Sequence, residues 1–434
     1  MFIGADERWE AQQVQRQLAR RRGALAETWE LTDEIVLVGA GATLTIPGRR
    51  DRTYPFHAHL EYLYLTDRER PGGVLAFDPA EGWLEFVVPV TRAERLWEGA
   101  EEGDPAGATP IGELPGWLAR RDGRHVALLG APFDEAPPPD EALSDELRRR
   151  LNHLRRAKDE LELARMRHAE RATAAGFRRL VSLIEPGRSE RELQVELEAE
   201  FFRHDADDVA FDSIVAGGPN SAVLHFPPGS RKLQAGELVL VDAGAEYRGY
   251  DSDITRTYPV SGDFTAEQRE LFDTVRRAGE EATKRCLPGT EFRDIHRCAQ
   301  LVIAEGLAEL GLLRGDAEGL VESEAVSVFF PHGVGHLVGL GVRDAGEALP
   351  GRERDAFPPL RVDLPLLPGY VTTIEPGIYF VPALLHDPEF REKNRDAVSW
   401  EKAETMIGFG GIRIENNVLV TEDGYEVLTD DVPV

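Results

Sequence analysis

Cysteine is almost missing from this chain: Cys286 and Cys298 are the only two among 434 residues. That leaves no disulfide framework to read, and two free thiols in a reducing compartment are the expected state. No apolar run approaches the ~18 residues that a membrane-spanning helix needs. The opening Met1-Phe2-Ile3-Gly4-Ala5-Asp6 has neither the basic nor the apolar stretch of a signal peptide, so a cytoplasmic protein is expected. Lysine is scarce too, at five residues, and arginine supplies nearly all positive charge. With 78 acidic against 50 basic side chains the net charge is −28, which argues against a nucleic-acid partner.

What remains is an ordinary globular composition, 42% hydrophobic, with length enough for two domains. Residues 1–140 alternate helix and strand patterns: a helix over 10–21, and strands at 34–38, 62–65, 73–77, 83–89 and 126–129. Residues 105–112 read as a loop, and Ala136-Pro137-Pro138-Pro139-Asp140 marks a domain boundary. His57 and His59 alternate on a short strand and are expected to be structural. The second domain, 141–434, opens with a helical run over 145–184. Ser189 and Glu192 then form a capping box for a helix through Phe201, with Leu193, Leu197 and Phe201 on one face. A similar helix pair recurs about a hundred residues later, over 267–286 and 292–310, which fits a duplicated α/β half. Residues 365–369 and 382–400 are loop-rich and expected at a pocket rim.

The chemistry concentrates in the second domain. Asp242 and Asp253 lie eleven residues apart, flanking the turn residues Arg248-Gly249 between two strand patterns. A hairpin centred between Tyr247 and Arg248 sets them directly opposite, with Cβ atoms about 5 Å apart. Two carboxylates that close repel unless a proton or cation lies between them, and a divalent metal lets both stay ionised. Two exposed acids on an acidic hairpin would look the same.

Three later segments add candidates. Phe330-Pro331-His332-Gly333-Val334-Gly335-His336 spaces two histidines by four, but its glycines argue against a helix and no zincin glutamate follows. Thr373-Ile374-Glu375-Pro376-Gly377 supplies one carboxylate. In Ile412-Arg413-Ile414-Glu415, Arg413 and Glu415 share the strand face opposite the isoleucines, as a salt-bridged pair on an ordinary strand also would. Asp242, Asp253, His336, Glu375 and Glu415 make four carboxylates and one imidazole, and the four negative charges match two divalent cations with a bridging hydroxide left over. Oxygen-rich donors of this kind favour Mn²⁺, with Co²⁺ or Zn²⁺ possible, over a thiolate zinc site.

The order and wording of these motifs resemble the pita-bread metallopeptidases, and within them the Xaa-Pro dipeptidases (prolidases) and aminopeptidases P. The resemblance spans nearly the whole chain, from Tyr54-Pro55-Phe56-His57 through Leu154-Arg155-Arg156-Ala157-Lys158 to Gly424. It implies an α/β N-terminal domain plus a catalytic domain with a pseudo-symmetric curved sheet backed by helices. It implies that Asp242, Asp253, His336, Glu375 and Glu415 bind two metal ions, and that Glu375 also shuttles the proton. His225 and His332 match pocket histidines, and Tyr379 and Arg413 match positions that orient ligands and substrate. Arg361, fourteen residues before Glu375, matches the prolidase arginine that receives a dipeptide carboxylate. Members are commonly homodimers acting on small peptides.

One position departs. Seven residues after His336, where the family carries another histidine, this chain has Arg343. An arginine donates hydrogen bonds or binds a carboxylate but is no acid or base near neutral pH. The expected function is therefore dinuclear metal-dependent hydrolysis of Xaa-Pro dipeptides by a metal-bridging hydroxide. The alternatives are an aminopeptidase P on longer peptides, a hydrolase of another compact amide or ester, and a metal-free relative that binds partners. A creatinase-like enzyme, which needs no metal, is disfavoured by the complete ligand set.

Overall fold

The computed structural model describes residues 9, 11–49, 52–97, 99, 107–134, 136–346, 349, 352 and 359–434. The chain divides into two compact units, Met1–Arg155 and Arg156–Val434. Among the described residues no helix is long and apolar enough to cross a membrane.

The first unit runs α1 (Ala11–Trp29), β1 (Ile35–Gly39), α2 (Leu60–Thr66), β2 (Val74–Asp78), β3 (Gly82–Val87), α3 (Arg92–Trp97), β4 (Thr109–Pro110), α4 (Leu114–Ala119), β5 (Val126–Gly130) and α5 (Glu141–Arg156). Its five strands form one mixed sheet in the order β4-β3-β2-β1-β5. Ile35, Leu37, Val74, Ala76, Phe86 and Trp117 pack as its core. Two expectations fail here. Residues 62–65 are helical, within α2, and His57 and His59 lie on no strand. The alternation of apolar and polar residues misleads because Glu61 through Thr66 are all buried, so no solvent face marks the period. His59 caps this helix, its side chain accepting from the Glu61 amide. Of the expected loop, residues 105–106 lie outside the described residues, and 109–110 form β4.

Where the sequence suggests one helical run over 145–184 there are two helices, the first closing unit one and the second opening unit two. After α5, Ala157–Asp159 interrupts the run, and Asp159 starts α6 (Glu160–Val181) through a reciprocal capping box with Glu162. The capping box of Ser189 and Glu192 starts α7 (Glu190–Arg203) as expected. Leu193, Leu197 and Phe201 bury that helix against Phe177, Val239 and Val241. There follow β6 (Asp208–Val209), β7 (Ile214–Gly217), β8 (Leu238–Ala243), β9 (Ala245–Tyr247), β10 (Tyr250–Asp251) and β11 (Ile254–Pro259). A second helix pair, α8 (Ala266–Thr283) and α9 (Phe292–Glu309), then precedes α10 (Ala317–Glu322), β12 (Val371–Ile374) and β13 (Gly377–Tyr379). The chain closes with α11 (Pro382–Leu385), α12 (Pro388–Lys393), α13 (Trp400–Thr405), β14 (Gly411–Arg413), β15 (Asn416–Val420) and β16 (Tyr425–Val427). Each half thus presents a helix pair and then antiparallel strands, β7-β8-β11 in one and β12-β15-β16 in the other.

The hairpin carrying the two aspartates is displaced from its expected register. Arg248 and Gly249 form the turn, both at positive φ (55° and 78°), the geometry of a type I′ loop. Tyr247 pairs with Tyr250, so the turn is centred one residue later than expected. Asp242 consequently lies opposite Thr255, not Asp253. Between the paired stretches the strand breaks at Gly244. A Cβ there would sit 1.7 Å from the Ser252 carbonyl oxygen, so only glycine lets the two chains close. The freed amide of Ala245 is satisfied by the Thr173 hydroxyl at 2.9 Å.

Two glycine substitutions should therefore act in opposite directions. Gly23, in the middle of α1, has open space where a Cβ would stand, and Gly23→Ala is expected to stabilise by about 0.5–1 kcal/mol. Gly244→Ala forces the hairpin apart and is expected to cost more than about 2 kcal/mol. Thermal unfolding of the two variants beside the parent checks both signs.

Candidate metal centre

Strand alternation aims Asp242 away from the core. Val239, Val241 and Ala243 of β8 face one hydrophobic cluster, while Leu240 packs with Ile214, Ala216 and Tyr379 on the other side. Asp242 shares that second face. Asp253 stands at the entry to β11, clamped by Asn417, whose side chain accepts from its amide at 3.0 Å and donates to its carbonyl at 2.8 Å. His336 belongs to an extended segment laid against β12, where its carbonyl accepts from the Thr373 amide at 2.8 Å. Gly335 allows that approach, since a Cβ there would lie 2.0 Å from the Thr373 carbonyl oxygen. Glu375 follows β12, its amide donating to Val334 at 2.8 Å. Glu415 sits between β14 and β15, its amide donating to the Thr255 carbonyl at 3.0 Å.

All five line one cavity of 720 Å³, together with His225, His332, Arg343, Arg361 and Arg413. Asp253, His336 and Glu415 each offer a donor atom within 4.8 Å of the others. His336 Nε2 lies 3.3 Å from Asp253 Oδ2 and 3.9 Å from Glu375 Oε1. Its Nδ1 is 3.1 Å from the Leu337 carbonyl, which can only accept, so Nδ1 carries the proton and Nε2 presents a lone pair. Asp242 Oδ2 accepts from Arg413 Nη2 at 2.6 Å, while its Oδ1 is buried with no hydrogen-bond partner.

The electrostatics are costly without a cation. Burial, and then the charges of Asp242 and Glu375, push the Asp253 carboxyl well above the carboxylate range. Burial, and then Asp253 and Glu375, do the same to Glu415. Glu375 is also raised, chiefly by burial. Burial lowers His336, leaving it the neutral imidazole that coordination requires. Clustered carboxylates, an oriented imidazole and an orphaned aspartate oxygen fit hard divalent cations bound through oxygen and nitrogen.

Around these donors runs a layer in which Arg413, Tyr379 and His332 are expected from the sequence and Thr255 is not. The Thr255 hydroxyl donates to Glu415 Oε2 at 2.7 Å and accepts from Arg413 Nε at 3.0 Å. Arg413 Nη1 reaches the Tyr379 hydroxyl at 2.8 Å, and that hydroxyl lies 2.9 Å from His332 Nε2. His332 Nδ1 donates to the Gly333 carbonyl at 2.8 Å, so Nε2 accepts from Tyr379. Burial, and then Arg413, lower His332 to about 3, so the ring is neutral. Burial, and then Arg413, also lower His225. Tyr379 is fully buried and does not line the cavity, so it acts through Arg413 and His332 and not on substrate. Thr255 was legible in principle, because it lies two residues from Asp253 and so on the same strand face. Asn417 and Thr373 carry no comparable signal. The expected rim segments do not reach the site: none of residues 365–369 or 382–400 lines the cavity.

A family model described as Metallopeptidase family M24 matches residues 164–422. A probable Xaa-Pro aminopeptidase of Botryotinia fuckeliana is 32% identical over 408 residues, covering 87% of this chain and 86% of that protein. The Xaa-Pro aminopeptidase of Haemophilus influenzae is 31% identical over 402 residues, covering 88% and 87%. Among solved structures, Pseudomonas aeruginosa aminopeptidase PepP is similar, with a TM-score of 0.80 and 31% identity over 96% of this chain and 95% of that one. So is E. coli aminopeptidase P with the inhibitor Pro-Leu, at a TM-score of 0.80, 29% identity and the same coverage.

Replacing Thr255 by valine keeps shape but removes the hydroxyl shared by Glu415 and Arg413. Thr255→Val is expected to weaken Mn²⁺ binding by about ten- to a hundredfold, the usual effect of losing such support. Isothermal calorimetry on chelator-treated protein measures it, and unchanged affinity rejects the role.

Proposed function

The chain belongs to metallopeptidase family M24, and from that premise we propose that it is a dinuclear hydrolase of Xaa-Pro peptide bonds. The observation that carries this reading is the convergence of Asp242, Asp253, His336, Glu375 and Glu415 on one cavity. When bound, a pair of divalent ions, Mn²⁺ by preference, supplies a water acidified enough to attack and an electrophile for the scissile carbonyl. Asp242 would contribute its unpartnered Oδ1 while Arg413 holds Oδ2. Glu375 takes the proton from the attacking water and passes it to the departing proline nitrogen. That nitrogen must be protonated as the bond breaks, because an amide anion is too basic to leave.

Of the two cavity histidines beside the donors, only His225 has a ring nitrogen free for substrate. His225 faces the cavity with no partner among the described residues and can donate to a substrate carbonyl. His332, with Nε2 held by Tyr379 and Nδ1 by the Gly333 carbonyl, is a fixed neutral wall of the cavity beside Glu375. Arg361 lines the same cavity and would receive a free carboxylate bidentately, which supports dipeptides as substrates. A second reading, peptides longer than two residues, is favoured by the cavity itself. It runs beyond the acidic cluster to Phe211, Phe226 and Pro228, and the relatives bear the name Xaa-Pro aminopeptidase.

Four measurements test the proposal and its second reading. Chelator-treated protein should lose activity on Ala-Pro and regain it with Mn²⁺; activity that survives metal removal excludes the mechanism. Glu375→Gln should lower kcat by at least about a hundredfold, as removal of a general base does. Arg361→Ala should cut kcat/KM for Ala-Pro about ten- to a hundredfold while sparing its amide, since only the free carboxylate uses that contact. Equal losses on Ala-Pro and its amide reject the carboxylate assignment. Faster cleavage of Ala-Pro-Ala than of Ala-Pro selects the longer-peptide reading.

A further inference from the structure

We infer that Arg343 and Arg361 form a paired guanidinium subsite that selects substrates whose departing segment carries two carboxylates. The simplest are Xaa-Pro-Asp and Xaa-Pro-Glu tripeptides, with one carboxylate on the side chain and one at the C-terminus. The inference rests on the Xaa-Pro hydrolase reading in its longer-peptide form.

Both arginines line the cavity that holds His336 and Glu375, and both are exposed to it. Their charges act on one another across that shared cavity: after burial, the charge of Arg343 depresses the ionisation of Arg361, while Glu375 opposes the shift. Among the described residues neither has a hydrogen-bonded or ion-paired acid. The other cavity arginines differ. Arg413 is bonded to Asp242 at 2.6 Å, and Arg191 to the Pro228 carbonyl at 2.8 Å. Two like charges facing one cavity, neither hydrogen-bonded to an acid among the described residues, favour a ligand that supplies the opposite charge.

The acidic cluster does not need them. Two divalent cations match its four carboxylates, and Arg413 is already engaged with Asp242. A single carboxylate brings one negative charge, so two guanidiniums that share it keep a net positive charge of one. The second guanidinium then remains uncompensated unless the ligand brings a second anion. A peptide ending Pro-Asp supplies both and keeps its positively charged amino terminus on the opposite side of the scissile bond.

The test compares Pro-Asp with its neutral isostere Pro-Asn, binding to the Mn²⁺-loaded protein by calorimetry. Cleavage of Ala-Pro-Asp and Ala-Pro-Asn is measured on the same preparations. Pro-Asp should bind at least about tenfold more tightly, as a charge-assisted pair requires. Arg343→Gln and Arg361→Gln should each shrink that ratio to below about threefold, the residue of one remaining cation. Raising the salt concentration should erode the preference in the parent protein, which keeps the proposal testable if a variant does not fold. A Pro-Asp preference under about twofold in the parent, or one that persists in both variants, overturns the subsite. Absence of cleavage of either tripeptide instead counts against the Xaa-Pro reading, and the binding ratio still decides the subsite.

Discussion

Asp242, Asp253, Glu375 and Glu415 are brought into a wall where burial and mutual repulsion both oppose their charges, and much of the second unit is arranged around that conflict. The backbone is recruited to hold them. Glu375 is fastened to Val334, Glu415 to Thr255, and Asp253 to Asn417. Arg413 offsets part of the negative charge from behind, with Thr255 and Tyr379 fixing its fork. Divalent cations relieve that conflict with the carboxylates still ionised, where protons would relieve it only by neutralising them. The family membership and the donor geometry agree on that point.

The donors come from both halves of the unit, which explains why the two helix pairs matter to chemistry. Asp242 and Asp253 ride on the sheet backed by α6 and α7, Glu375 and Glu415 on strands from the half that carries α8 and α9. Each half buries its own core, so the site is a seam between two separately packed layers. Small-residue contacts make the seam tight. Gly410 of one half stands where a Cβ would lie 2.1 Å from the Gly218 carbonyl oxygen of the other.

Helices with caps were the most readable part of the sequence. Ser189 and Glu192 announce α7 because the box satisfies two backbone amides that any helix start must satisfy. The equivalent box of Asp159 and Glu162 was passed over, so α5 and α6 merged. Residues 62–65 were misread because complete burial removes the contrast that separates a two-residue period from a helical one. The hairpin was foreseen but its register was not. The observed turn places Arg248 and Gly249 at its two positive-φ positions, and Gly244 fits the close approach of Ser252 that this register brings. The segment around His336 carries no periodicity at all, so its place beside β12 was recoverable only from resemblance. Resemblance was also silent where this chain departs from it, at Arg343.

The central claim is that Asp242, Asp253, His336, Glu375 and Glu415 hold a pair of divalent ions. Anomalous diffraction at the manganese edge, from crystals grown with Mn²⁺, addresses it without reference to any substrate. The account predicts two peaks about 3.5 Å apart within reach of all five side chains, the spacing of a two-metal centre. A single peak, or peaks that leave Asp242 or Glu415 without a metal contact, would contradict it.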